Sequence, residues 1–192
     1  MLALPAEPRV RPLAGALVAA ALLARTASAS ADPQAGAALT VGGGVAGVQP
    51  DGRKVPVFHL GVRADILFLR ERDRDMAIGP YLEVGTEAFR SLAVGGGGEW
   101  LVPVTESFPL VLSAGATARG VDGVGWEPGL SAAAFFGSRG FNFHSWYGLT
   151  GGVFVLARRS LGASHDTDVI AGLELDLSLF AYPGIFLYNA LR

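Results

Sequence analysis

Between Leu173 and Leu179 apolar and polar residues alternate strictly, with Glu174, Asp176 and Ser178 set between four leucines. Period two puts the leucines on one face of a β-strand and the polar residues on the other, whereas a helix would scatter them around its circumference. The same alternation recurs in less pure form at short intervals. It predicts eight strands, at Leu39–Val48, Val57–Leu69, Met76–Phe89, Leu92–Val104, Phe108–Ala118, Val124–Gly137, Phe141–Ala157 and Asp168–Ala181. Turn-prone stretches separate nearly all of them, namely 49–54, 70–75, the tight Arg90-Ser91, 105–107, 119–123, 138–140 and 158–167. In Pro50-Asp51-Gly52 the proline presets one torsion and the glycine supplies a positive one. An even number of strands with short connections predicts an all-β, antiparallel up-and-down barrel.

The faces follow from the same period. Phe58, Leu60, Val62, Ala64, Ile66 and Phe68 share one side of the second strand, opposite His59, Arg63 and Asp65. Ile78, Pro80, Leu82 and Val84 oppose Tyr81, Glu83 and Glu87; Leu92, Val94, Trp100 and Val102 oppose Glu99; Trp126, Leu130 and Phe136 oppose Glu127 and Ser131. In the seventh strand Leu149, Val153 and Val155 oppose Thr150, Phe154 and Leu156, and the contrast blurs.

The first residues do not belong to this pattern. Arg9 and Arg11 precede an apolar run from Leu13 to Ala24, and Ala29-Ser30-Ala31 fits a small-x-small cleavage site. A secretory signal peptide over 1–31 is the expectation, with Asp32 as the mature N-terminus, a barrel domain over 32–181 and a tail over 182–192. The run is too short to cross about 30 Å of hydrocarbon as a helix. The chain is nevertheless 51% hydrophobic and 17% charged, with a mean hydropathy of +0.40. A chain this apolar, without a spanning helix beyond its leader, has a closed barrel as its route into a bilayer. Cysteine is absent, which excludes disulfides and Cys-based zinc sites. Lys54 is the single lysine, so the chain has no basic stripe for nucleic acid.

Alternation alone does not say which face lies inside. Two features favour charges inside and apolar residues outside. The less apolar face is rich in glycine (Gly61, Gly79, Gly85, Gly95, Gly97, Gly115, Gly129, Gly152, Gly172), as a cramped lumen requires. Phe58, Phe68, Trp100, Phe108, Trp126, Phe136 and Tyr147 fall near the apolar-face strand ends, where the aromatic girdles of membrane barrels sit. With these features the chain resembles the small outer-membrane β-barrels, the OmpA-like and OmpX-like eight-stranded domains. Gly172 to Phe180 looks like the C-terminal assembly signal of such proteins, although this chain continues through Tyr182-Pro183-Gly184 to Arg192. The resemblance implies export through the periplasm to an outer membrane, with both termini on the periplasmic side. It also implies contact with outer-membrane lipid, and with periplasmic chaperones and the barrel-assembly machinery during biogenesis.

On this reading Arg63, Asp65, Glu83, Glu87, Glu99, Glu127, Glu174 and Asp176 face the lumen, with Arg119 and Arg158 near strand ends. Isolated buried ions are prohibitively costly, so these charges are expected to pair, to take up protons or to hold a cation. A hairpin centred on Arg70–Asp75 sets Arg63 beside Glu83, making Arg63 the expected hub of a network with Glu83, Glu99 or Glu174. A structural or interaction role with a polar plug, and no cofactor, is the leading expectation; a narrow ion path is an alternative. Two others are a soluble periplasmic barrel holding an apolar ligand, with Leu173, Leu175, Leu177 and Leu179 inward, and an outer-membrane lipid-modifying enzyme. For catalysis, His144-Ser145 on the seventh strand and Ser164-His165 in a loop are adjacent pairs, strand neighbours point to opposite faces, and neither pair has a compelling acid partner, although Asp166 and Asp168 lie near His165. His59, His144 and His165 lack the spacing of a metal site. Gly42–Gly44 and Gly95–Gly98 open no helix, so they are expected to relieve crowding in the wall rather than to cradle phosphate.

Overall fold

The computed structural model describes residues 32–47, 55–121, 125–140 and 148–180. The expected signal peptide, Tyr147 and the tail after Ala181 lie outside the described residues. Eight strands, β1 Gln34–Ala46, β2 Val55–Leu67, β3 Ala77–Glu87, β4 Ser91–Val102, β5 Leu110–Val121, β6 Gly125–Arg139, β7 Thr150–Ser160 and β8 Thr167–Asp176, each run antiparallel to the next. β8 returns to pair with β1, Val41 facing Leu173, and closes the barrel. Closure leaves no sheet edge.

The register sets the tilt. Paired residues lead from Gly36 through Asp65, Tyr81, Gly97, Gly115, Ser131 and Arg158 to Asp168. Continuing the β8–β1 register then reaches Ala46, ten residues beyond the start. For eight strands this stagger corresponds to a tilt of about 40° and an interior that side chains alone fill. Inward glycines face one another across every second strand pair: Gly42–Gly172, Gly61–Gly85, Gly97–Gly115 and Gly137–Gly152. At these points neighbouring atoms come too close for a side chain, as glycine permits at the corner of a barrel. A Cβ on Gly115 would stand 2.8 Å from the Tyr81 hydroxyl oxygen and closer still to the Gly96 carbonyl.

The faces are inverted relative to a water-soluble domain. Among the described residues twenty-seven large apolar side chains are exposed, Leu82 at 68% and Trp126 at 60%, while eleven hydrophobic residues are buried. His59, Arg63, Asp65, Glu83, Glu87, Glu99, Glu127, Arg158, Glu174 and Asp176 are all buried within the wall. The lumen is not purely polar. Leu67, Ala77, Leu101, Val111, Phe135, Phe154, Leu156 and Ile170 pack inside it as an apolar cluster.

Several strand limits differ from the pattern, each for a local reason. β1 starts at Gln34 rather than Leu39, because the small residues 35–38 pair with β2 although they carry little apolar contrast. The expected start of the seventh strand at Phe141 lies outside the described residues; among them β7 begins at Thr150 and runs on to Ser160, past the expected end at Ala157, turning Arg158 inward and Arg159 outward. The alternation at the C-terminus stops being a strand at Asp176. Its carboxylate accepts the Ser178 amide at 2.8 Å and starts a helical turn, closed by the Phe180 amide on the Leu177 carbonyl. The turn expected at Arg90-Ser91 instead lies at Ala88-Phe89, with φ of 50° and 58°, and the Arg90 amide donates to the Glu87 carbonyl at 3.0 Å.

Candidate functional site

Charged side chains from six strands form a ladder along the lumen. At the end that holds the start of β1 and the end of β8, the terminal end, Arg139 closes on Asp65 and lies 3.8 Å from both Glu99 and Glu174. Glu99 also accepts Arg63 Nη2 at 2.8 Å, and Arg63 lies 3.7 Å from Glu83. Arg158 Nη2 donates to the other oxygen of Glu83 at 3.2 Å, and its Nη1 donates to Glu87. Glu87 meets His59 Nδ1 at 3.6 Å, and the opposite ring nitrogen lies 3.1 Å from the Thr40 hydroxyl. Cation and anion thus alternate from Arg139 to Arg158, which is how charges become tolerable away from water. The Arg63 guanidinium also stacks 3.9 Å over the Tyr81 ring.

Register explains these meetings. Arg63 and Glu83 are direct cross-strand partners in β2 and β3, as the hairpin centre implied. Arg63 has Glu83 and Glu99 as partners, whereas Glu174 lies against Arg139. The Ser-Arg-Gly context of Arg139 predicts a turn, but β6 extends to it. Counting by twos from Glu127 and Ser131 reaches Arg139 on the inward face, and that parity was the signal available. Asp176 accepts the amides of Thr150 and Ser178, fastening the ends of β7 and β8.

Each mouth of the barrel has its own group of contacts. At the terminal end Arg70, which follows β2, is 2% exposed, and both its terminal nitrogens donate to the Arg139 carbonyl at 3.1 Å. Burial pulls its guanidinium below the ordinary arginine value. At the far end Arg119 bridges Asp168 at 2.5 Å and Asp166 at 3.2 Å, and Asp168 also accepts the Gly47 amide. Glu127, expected in the ion-pair network, has no arginine within salt-bridge distance among the described residues. It accepts the Ser160 hydroxyl at 2.9 Å, the Ser164 hydroxyl at 2.5 Å and the Ser164 amide at 2.9 Å. Glu127→Ala should therefore free the β7–β8 connection. Hydrogen exchange across 161–166 is expected to accelerate while β2 keeps its protection; unchanged exchange there would refute the assignment.

The same contacts bear on the catalytic candidates. Ser164 is bonded to Glu127 rather than to His165, and Asp166 and Asp168 face Arg119. His144 and Ser145 lie outside the described residues. A cavity of about 20 Å³ remains in the lumen beside Thr40, His59, Arg63, Glu83, Arg158 and Glu174, room for about one water.

The aromatic residues fall into two bands. Phe58 and Trp126 lie toward the far end, and Phe68, Trp100, Phe108 and Phe136 toward the terminal end, all but half-buried Phe68 being exposed. Phe108 and Phe136 stack at 6.2 Å between ring centres. Phe89, missed by the alternation because it sits in a turn, joins the far band 6.2 Å from Phe58. Phe58 on β2 and Phe68 just past its end are ten residues apart, as are Trp126 and Phe136 on β6, across the barrel. At about 3.3 Å per residue and a tilt near 40°, each pair spans about 25 Å along the axis, the height of an outer-membrane apolar band.

In comparisons with known proteins, no family model and no curated protein matches the chain. A solved structure described as "De novo design of transmembrane beta-barrels" is similar to it at 14% identity and a TM-score of 0.37, over 73% of this chain and 95% of that one.

Proposed function

We propose that this protein is an integral barrel of a bacterial outer membrane, delivered through the periplasm with its termini on that side. Its role is structural or interactional, with a plugged polar lumen rather than a general diffusion pore. The inversion of faces carries this reading: buried Arg63, Glu83 and Glu99 inside, exposed Leu82, Val84 and Leu173 outside. In water such an exterior would aggregate, whereas hydrocarbon is the solvent it suits. The paired aromatic bands support it through their spacing. The plug is supported by the ion-pair ladder and the water-sized cavity, and neither calls for a cofactor or a catalytic step. Contacts with outer-membrane lipid, and with chaperones and assembly machinery during biogenesis, belong to the same proposal. A soluble barrel around an apolar ligand would need Leu173 inward and Glu174 outward, the reverse of their positions.

A boiled-versus-unboiled gel shift on separated outer-membrane and periplasmic fractions tests the proposal. Membrane-fraction protein that runs faster unboiled is the expected result, since a closed barrel survives detergent until heated. Soluble periplasmic protein without a shift would overturn it.

A further inference from the structure

The far rim carries a cleft of about 410 Å³ on the outer wall, lined by the β3–β4 turn, the end of β5 and the start of β6. Phe89, Arg90, Leu92 and Trp126 line it together with Gly120, over which the Trp126 ring lies. Phe89 is 71% exposed and Trp126 60%. Arg90 is exposed and has no carboxylate partner among the described residues, whereas the inward-facing arginines Arg63, Arg139 and Arg158 are each engaged by carboxylates.

The backbone beside the cleft is strained. Ala88 and Phe89 both hold positive φ without being glycine, and a bulky side chain in that region is an outlier. Asn-Gly would fit such a turn at less cost. Strain of this kind persists where the presented side chains do something else. Here it sets an aromatic ring and a guanidinium side by side at the level of the far aromatic band.

We infer that this cleft is a binding site for the anionic phosphate headgroup of a membrane lipid. Arg90 meets the phosphate, Phe89 and Trp126 flank the headgroup at the interface, and the acyl chain runs down the wall over Leu92. A guanidinium suits phosphate oxygens through paired N–H donors, and aromatic side chains favour the interfacial layer. The inference rests on the membrane reading above.

Trp126 lies in the cleft and reports on it directly. The barrel, with Trp100→Phe and Trp146→Phe so that Trp126 is the remaining tryptophan, is refolded into vesicles of phosphatidylcholine. Brominated phosphatidylglycerol or brominated phosphatidylcholine is then added as quencher. One cation near an anionic lipid surface corresponds to about a fivefold preference, so phosphatidylglycerol should quench about fivefold more effectively. Arg90→Gln should abolish the preference, Arg90→Lys should keep it, and Arg159→Gln, an outward cation elsewhere on the far rim, should leave it intact. Equal quenching by the two lipids, or a preference that survives Arg90→Gln, would overturn the site. Loss of the preference on adding inorganic phosphate at the lipid concentration would overturn the lipid as the occupant. Retention of the heat-shifted band in every variant separates these failures from a failure of the membrane reading.

Discussion

Arg139→Met is expected to destabilise the refolded barrel by about 3–5 kcal/mol, the range for removing one partner of a buried ion pair. Arg63→Met should cost less, although Arg63 occupies the middle of the ladder. The difference lies in what each substitution strands. Without Arg63, Glu83 keeps Arg158 and Glu99 keeps Arg139. Without Arg139, Asp65 loses the one arginine at salt-bridge distance among the described residues, and Glu174 loses its nearest guanidinium. Methionine leaves the volume largely filled, so the loss reports charge rather than a cavity. Lowering the pH should restore part of the Arg139→Met stability, because protonation neutralises the stranded carboxyls and removes the charge that the mutation leaves unpaired. Urea unfolding in detergent micelles at neutral and acidic pH measures both effects. If Arg63→Met costs as much as Arg139→Met, or if the acid recovery is absent, the division of roles along the ladder is wrong.

Gly97→Ala and Gly98→Ala, adjacent in β4, should have opposite outcomes. Gly97 faces inward across from Gly115, and a Cβ there would lie 2.5 Å from the Gly115 Cα and press on the Ala114 carbonyl. The obstacle is backbone, which cannot swing aside as a side chain can. The wall must open at a corner, at a cost of about 3 kcal/mol or more, and the heat-shifted form should be depleted. A Cβ on Gly98 points to the exterior and meets nothing within 4 Å. Alanine there only reduces the freedom of the unfolded chain, so stability should hold or rise by about 0.4–1 kcal/mol. Folded fraction and unfolding midpoint, measured on both variants in parallel, decide the matter. Equal effects would mean that the glycines are not holding the corners.

Much of the ladder could be anticipated because β-strands convert sequence parity directly into direction. His59, Arg63 and Asp65 share parity on β2, and a centred hairpin turn then fixes Glu83 opposite Arg63. Where residues contrast weakly the period has nothing to act on, which is why the alanine-rich start of β1 escaped it. Local chemistry also overrode a clean pattern. Asp176 accepts the Ser178 amide, so the final leucines leave the strand that their alternation would extend. Arg139 and Arg70 were hidden for another reason: polar, glycine-containing or charged stretches resemble turns until the neighbouring strands set where pairing stops.

The sequence by itself determined that strands of period two, in even number and with short connections, would make an up-and-down barrel with carboxylates on one face. That information is local, since each residue's face depends only on its position within its strand. The ten-residue stagger, the pairing of Arg139 with Asp65 across the lumen and the meeting of one inward glycine with another on the next strand were decided by closure. Closing eight tilted strands on themselves fixes the register around the whole ring, so residues distant in the chain are brought within bonding reach by a condition that no single strand carries.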